Sequence, residues 1–169
     1  IRFTPASGYT AKRIATISTF TDKRENKTVS ALNIDIANLQ QSTLAPTNGI
    51  LYVSTENSGS NLGAVRLRNG SVLPNAAGSN GFTVASDDPV YIQGNYNSPA
   101  NPNNRIPAMV AGDALTILSN AWSDSNSNRS IGDREASQTT TNAVFVNGNV
   151  PTGSEHYSGG VENYYRYLE

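Results

Sequence analysis

The sequence predicts an all-β domain, specifically a right-handed parallel β-helix-like solenoid of irregular coils with one or two short helices. Three observations point there. Short runs rich in Val, Ile and Tyr recur between Asn, Gly, Ser and Pro punctuation. Two of these stretches repeat one another. Charged residues make up only 15% of the chain, and uncharged polar residues that favour turns and strand surfaces replace the usual helix formers. The alternative is an antiparallel β-sandwich. Asn48-Gly49, Asn69-Gly70, Asn80-Gly81 and Asn147-Gly148 are hairpin-turn dipeptides, although they serve equally as left-handed corners.

The 169 residues fit a single β-rich domain. Residues 1–45 read as a polar segment, 46–150 as stacked strands and 151–169 as a capping segment. In the first part, residues 14–20 suit one strand. Residues 33–41 suit a short helix in which Ile36 and Leu39 share a face and Asn33 or Asp35 caps the start, but their β-branched content also suits a strand. The expected strands that follow are 50–53, 64–67, 82–85, 90–93, 108–111, 115–118 and 143–147, each of ordinary strand length. At the end, Val161, Tyr164, Tyr165 and Leu168 have helical spacing, so a short aromatic-faced helix is expected to cover one end of the stack.

The repeat aligns residues 82–95 with 108–120, each reading strand, acidic corner, strand, small residue, Asn. Residues 144–149 form a partial third copy. Ile92, Ile117 and Val146 then correspond, as do Asn95, Asn120 and Asn149. Periods of this length indicate arrays of stacked units. The three asparagines are expected about 4.8 Å apart on successive turns, forming an amide ladder.

Composition excludes several function classes. Net charge is −1 and basic residues are scattered, so no electrostatic footprint for nucleic acid exists. Without cysteine there is no disulfide, Cys-zinc site or thiol nucleophile. No apolar run approaches the roughly 18 residues a membrane-spanning helix needs. The chain opens at Ile1 without Met and reads as a portion of a longer protein, so any export signal or membrane anchor would lie outside it; Leu168-Glu169 can also be read as a cloning remnant.

Several phrases carry a family resemblance. They are Phe20-Thr21-Asp22-Lys23-Arg24-Glu25-Asn26-Lys27 with Asn33-Ile34-Asp35-Ile36, then Asn48-Gly49-Ile50-Leu51-Tyr52-Val53, and the run from Phe82 to Asn97. Ala114-Leu115-Thr116-Ile117-Leu118-Ser119-Asn120-Ala121-Trp122 and Tyr157-Ser158-Gly159-Gly160-Val161-Glu162-Asn163 complete the set. From Phe20 to Glu169 the chain resembles the C-terminal domain of bacterial PilX-type proteins, which are minor-pilin-like components of type IV pilus assembly. The resemblance implies export through a pilin-like helix absent from this chain. It also implies extracellular or cell-surface display, as a structural or adhesive domain rather than an enzyme. The expected partners are other pilus or envelope proteins, or host or surface glycans. It supplies no catalytic residues. The alternative function is polysaccharide binding or degradation on a β-helix.

Among individual residues, Asp88 and Asp113 align in the repeat, and neighbouring carboxylates suit Ca²⁺ or acid–base work on a polysaccharide. Turn chemistry explains them as plain corner residues. His156 lies between Glu155 and Tyr157 with Ser154 and Ser158 nearby, but adjacent residues do not make triad geometry and the segment reads as a surface loop. Residues 123–133 mimic part of a Ca²⁺ loop without its central Gly or closing Glu, and read as an excursion from the stack. Tyr91, Tyr96 and Trp122 follow aligned strands and are expected on one side, where they would stack on carbohydrate or serve the sheet.

Overall fold

The computed structural model describes residues 14–55, 60–75, 80–148 and 164–169. The chain alternates between two sheets. After an antiparallel pair, β1 (Ala15–Asp22) and β2 (Lys27–Asp35), come helix α1 (Ile36–Gln40), β3 (Ile50–Tyr52), β4 (Leu62–Arg68), β5 (Phe82–Ala85) and β6 (Val90–Gln93). Strands β7 (Ala108–Gly112), β8 (Leu115–Leu118), β9 (Val144–Asn147) and β10 (Arg166–Tyr167) follow. One sheet has the order β1-β2-β4-β6-β8-β10, mixed because β1 runs antiparallel to β2. The other is the all-parallel β3-β5-β7-β9.

This architecture corrects the expected fold class. It is a mixed α/β arrangement of two separate sheets with few helices, and not a closed β-helix solenoid. Nor is it an antiparallel sandwich, since β1–β2 is the one antiparallel pair among the described strands. The physical reasons are local. The turn between Asp22 and Lys27, with Asn26 in the left-handed region (φ 52°), reverses the chain at once and makes a hairpin. A helix then intervenes, and the connections between later strands differ widely in length. The third repeat copy was also misassigned. Val146 pairs with Ala111 in the four-stranded sheet, while Ile117 takes Ile92 on one side and Tyr167 on the other. Strands of both sheets share one Val-rich pattern, so spacing alone does not say which sheet a strand joins.

Burial explains why the two sheets read differently in sequence. The middle strands of the six-stranded sheet are covered on both faces, so they run nearly continuously buried: Val90, Tyr91 and Ile92 in β6, and Ala64 to Leu67 in β4. Its inner residues Val65, Leu67, Val90, Ile92 and Leu115 meet Leu51, Val84 and Val110 of the second sheet in the main core. Its outer residues Ala31, Ala64, Tyr91 and Leu118 pack with Phe20, Trp122 and Leu168 in a smaller cluster. The four-stranded sheet is covered on one face only, so β3 and β5 alternate buried and accessible. On its outer face Ile50, Tyr52, Val144 and Val146 are exposed.

Helix α1 forms where expected. The Asp35 carboxylate accepts from the Asn38 N–H at 2.8 Å, and Ile36 and Leu39 are buried against the core. Of the expected helix over 33–41, residues 33–35 instead end strand β2, whose earlier part from Lys27 the sequence reading did not anticipate. At the other end, the expected helix over Val161 to Leu168 is corrected: Val161 lies outside the described residues, and Arg166–Tyr167 form a strand parallel to β8. The Arg166 guanidinium pairs with Glu25, tying this last strand to the β1–β2 turn. Among the described residues no helix is long and apolar enough to cross a membrane.

Candidate functional site

The corner after β6 brings two of the predicted asparagines together. The Asn95 N–H donates to the Asn120 Oδ1 (3.1 Å), and the Asn120 amide returns to the Asn95 Oδ1 (3.0 Å). Gly94 makes this approach possible. Its φ is +78°, and a Cβ there would stand 2.8 Å from the Asn120 Oδ1. The pair also anchors the long β8–β9 connection, because Asn120 Nδ2 donates to the Gln138 carbonyl and the Thr140 N–H donates to Asn95 Oδ1. Asn149 lies outside the described residues.

Asp88 and Asp113 sit on adjacent corners, where the Asp113 N–H donates to the Asp88 carbonyl at 3.2 Å. The Asp88 carboxylate accepts from both the N–H (2.6 Å) and the hydroxyl (2.9 Å) of Thr55, and Asp113 is buried. Among the described residues no group of three or more His, Cys, Asp or Glu side chains is placed to hold a metal ion. His156, Ser154, Glu155 and Ser158 lie outside the described residues.

The polar run 123–133 is not a free excursion at its start. Asp124 accepts from Arg66 Nη1 (2.6 Å) and Nη2 (2.9 Å), from the Trp122 indole N–H (2.8 Å) and from the Ser18 hydroxyl (3.3 Å). Arg66, only 1% exposed, also donates to Asn33 Oδ1 (2.6 Å) and to the Ser18 hydroxyl (2.7 Å), and its guanidinium lies 5.2 Å from the Phe20 ring centroid. Burial alone pushes the Asp124 carboxyl up. The hydrogen bonds and charge of Arg66, helped by Trp122 and Ser18, outweigh that and hold its pKa below the usual value. The signal for this network was an arginine inside the otherwise apolar run 64–67.

The aromatics singled out in the sequence are core residues. Tyr91, Tyr96 and Trp122 are all buried. Tyr91 donates its hydroxyl to Asp22 at 2.7 Å and meets Phe20 edge-on at 5.0 Å, and burial together with Asp22 raises its pKa. Burial likewise raises that of Tyr96. None of the three is available to a sugar.

A different aromatic group is available. At the β9–β10 end, Phe145, Tyr165 and Tyr167 form a continuous rank. Phe145 and Tyr165 centroids are 5.6 Å apart, and Tyr165 and Tyr167 meet edge-on at 5.9 Å. Tyr165 is 45% and Tyr167 56% exposed, so both rings present surface to solvent. They wall a cleft of about 500 Å³ that Ile117 and Ala143 also line.

The polar side of the cleft comes from Ser119, the segment 136–141 and Glu169. The Glu169 carboxylate accepts from both the N–H and the hydroxyl of Ser119. Ser119 Oγ in turn accepts from the N–H groups of Ala121 (3.0 Å) and Ser137 (3.1 Å). Thr139 Oγ1 accepts from the Asn120 N–H (2.9 Å) and donates to the Ser137 carbonyl (3.0 Å). These bonds fix the polar wall beside the rings, and Ser137 and Thr141 add further hydroxyls.

Concave shape, exposed aromatic faces and a preorganised row of hydroxyls suit a polyhydroxylated ligand with apolar C–H faces. Among the described residues Glu169 is the one carboxylate in the lining. The sequence missed this rank because Tyr164-Tyr165-Arg166-Tyr167 was read at helical spacing. The alternation of Tyr165 and Tyr167 about Arg166 was the strand signal. In comparisons with known proteins, no family model, curated protein or solved structure matches this chain.

Proposed function

We propose that the chain is a surface-exposed adhesive domain of a pilin-like bacterial protein, and that it adheres by binding carbohydrate in the cleft walled by Phe145, Tyr165 and Tyr167. The observation that carries the binding activity is this solvent-facing aromatic rank set against a hydrogen-bonded hydroxyl wall. The association with pili and the cell surface is supported by the sequence resemblance from Phe20 onward and by a charge-poor, cysteine-free composition. Among the described residues the lining offers ring faces and hydroxyls, which suit holding a glycan.

A glycan array, paired with a reducing-sugar assay on the glycans retained, tests this reading. Binding without turnover that disappears in Tyr165→Ala/Tyr167→Ala is the expected result. Absence of any glycan binding rejects the adhesive reading, and turnover rejects the non-enzymatic one.

A further inference from the structure

Among the described elements none packs on the outer face of the four-stranded sheet. The register of β3, β5, β7 and β9 sets the outward side chains in two rows across the strands. Ile50, Thr83, Met109 and Val144 form one row, and Tyr52, Ala85, Ala111 and Val146 the other. Neither row holds a charged residue. Ile50, Tyr52 and Val144 are each more than half exposed, and Val146 is 40% exposed. A sheet face left to water ordinarily carries polar side chains, and all-parallel sheets are as a rule covered on both faces. A contiguous apolar face of this kind marks a place where another surface packs.

The face suits a second copy of itself. Two-fold packing sets a patch against the same patch, so a charge inside it would meet its own like, and these rows contain none. If the strands of the two copies run antiparallel, the first row of one copy lies over the second row of the other. Met109 then meets the partner's Ala111, a long side chain over a short one, as interdigitating sheets about 10 Å apart require. The rims match as well. Arg105, exposed, stands just before β7 at one end of the strands. Asp87, exposed and within hydrogen-bonding reach of the Tyr52 hydroxyl, follows β5 at the other end. Antiparallel stacking brings each of these rim charges toward its opposite on the other copy. The rows offer roughly 500 Å² per copy, and a specific contact needs about 1,000 Å² in total, so the area supports a weak dimer.

We propose that this face is a self-association surface, on which two copies stack their four-stranded sheets about a two-fold axis with the strands antiparallel. The inference is independent of the carbohydrate reading. Phe145 belongs to the aromatic cleft, whereas Val144, its neighbour on the opposite side of β9, belongs to this face.

Sedimentation velocity on the whole chain, from about 1 μM to about 1 mM, tests it. The wild type is expected to pass from monomer to dimer with a dissociation constant on the order of 10–100 μM. Val144→Lys, at an exposed position, is expected to weaken the dimer at least about tenfold. Ile17→Lys, at an equally exposed position on β1 of the other sheet, is expected to leave it unchanged. Arg105→Glu is expected to weaken it, and Arg105→Glu/Asp87→Arg to restore it, because the swap rebuilds both rim pairs. A wild type that stays monomeric throughout, a dimer untouched by Val144→Lys, or one lost equally in Ile17→Lys overturns the inference. A charge swap that fails to restore the dimer overturns the antiparallel stacking.

Discussion

Removing the Asp124 carboxylate is expected to destabilise the protein more than removing the arginine it holds. Arg66 is 1% exposed, whereas the Asp124 side chain is 29% exposed. In Asp124→Ala the guanidinium keeps Asn33 and Ser18 but loses its counter-charge in a site that water does not reach. Breaking a buried pair costs about 3–5 kcal/mol, and the partial exposure of Asp124 places this case at about 3 kcal/mol. In Arg66→Met the carboxylate keeps the Trp122 indole and regains water, and methionine refills part of the volume, leaving a cost of about 2 kcal/mol, chiefly from the stranded Asn33 acceptor. The double variant is expected near the cost of the milder single change, because Arg66→Met removes the uncompensated guanidinium that makes Asp124→Ala costly. Urea unfolding at neutral pH measures all three. By the usual size scaling, Asp124→Ala is expected to lower Tm by about 6–12 °C. Additive single costs, or Arg66→Met costing more than Asp124→Ala, would refute the reasoning.

The remaining predictions concern pH, the core and the corners. Because the folded Asp124 pKa is lowered, its contribution is present above the unfolded value of about 3.9 and is lost as pH falls through the folded one. The stability gap between wild type and Asp124→Asn should therefore narrow in urea melts taken below about pH 4. Tyr91 behaves with the opposite sign: its raised pKa gives a contribution that is complete below about pH 10 and is lost at higher pH. Tyr91→Phe, which takes the donor from the buried Asp22 Oδ2 while Oδ1 keeps the Arg24 and Glu25 N–H groups, should cost about 1–3 kcal/mol at pH 7 by denaturant titration. Gly81→Ala should destabilise by about 2 kcal/mol or more, because φ is +147° and a Cβ would stand 2.4 Å from the Pro107 carbonyl oxygen. Gly132→Ala, where a Cβ meets nothing within 4 Å, should stay within about 0.5 kcal/mol in the same assay.

Short-range structure was largely legible in the sequence. Every run of Val, Ile and Tyr between turn residues from 50 to 147 became a strand within a residue or two, because apolar period and turn chemistry are local signals. The Asp35 cap and the Ile36/Leu39 face were legible for the same reason. Sheet membership was not. Val146 and Ile117 sit in equivalent-looking runs, and what separates them is which face each strand buries after the chain has crossed between sheets. The cleft was hidden by a wrong period at Tyr164–Leu168, and by giving Tyr91, Tyr96 and Trp122 a surface role that burial denies them. Arg66 was visible as a cation within an apolar run, but its partner Asp124 lies 58 positions away in a stretch that resembles a calcium loop.

The most direct test of the account is an NMR chemical-shift map with a glycan that the protein retains. The account predicts perturbations confined to Ile117, Phe145, Tyr165, Tyr167 and the segment 136–141 around them. Perturbations centred on the exposed outer face of the four-stranded sheet, at Ile50, Tyr52, Val144 and Val146, with the aromatic rank unmoved, would contradict it.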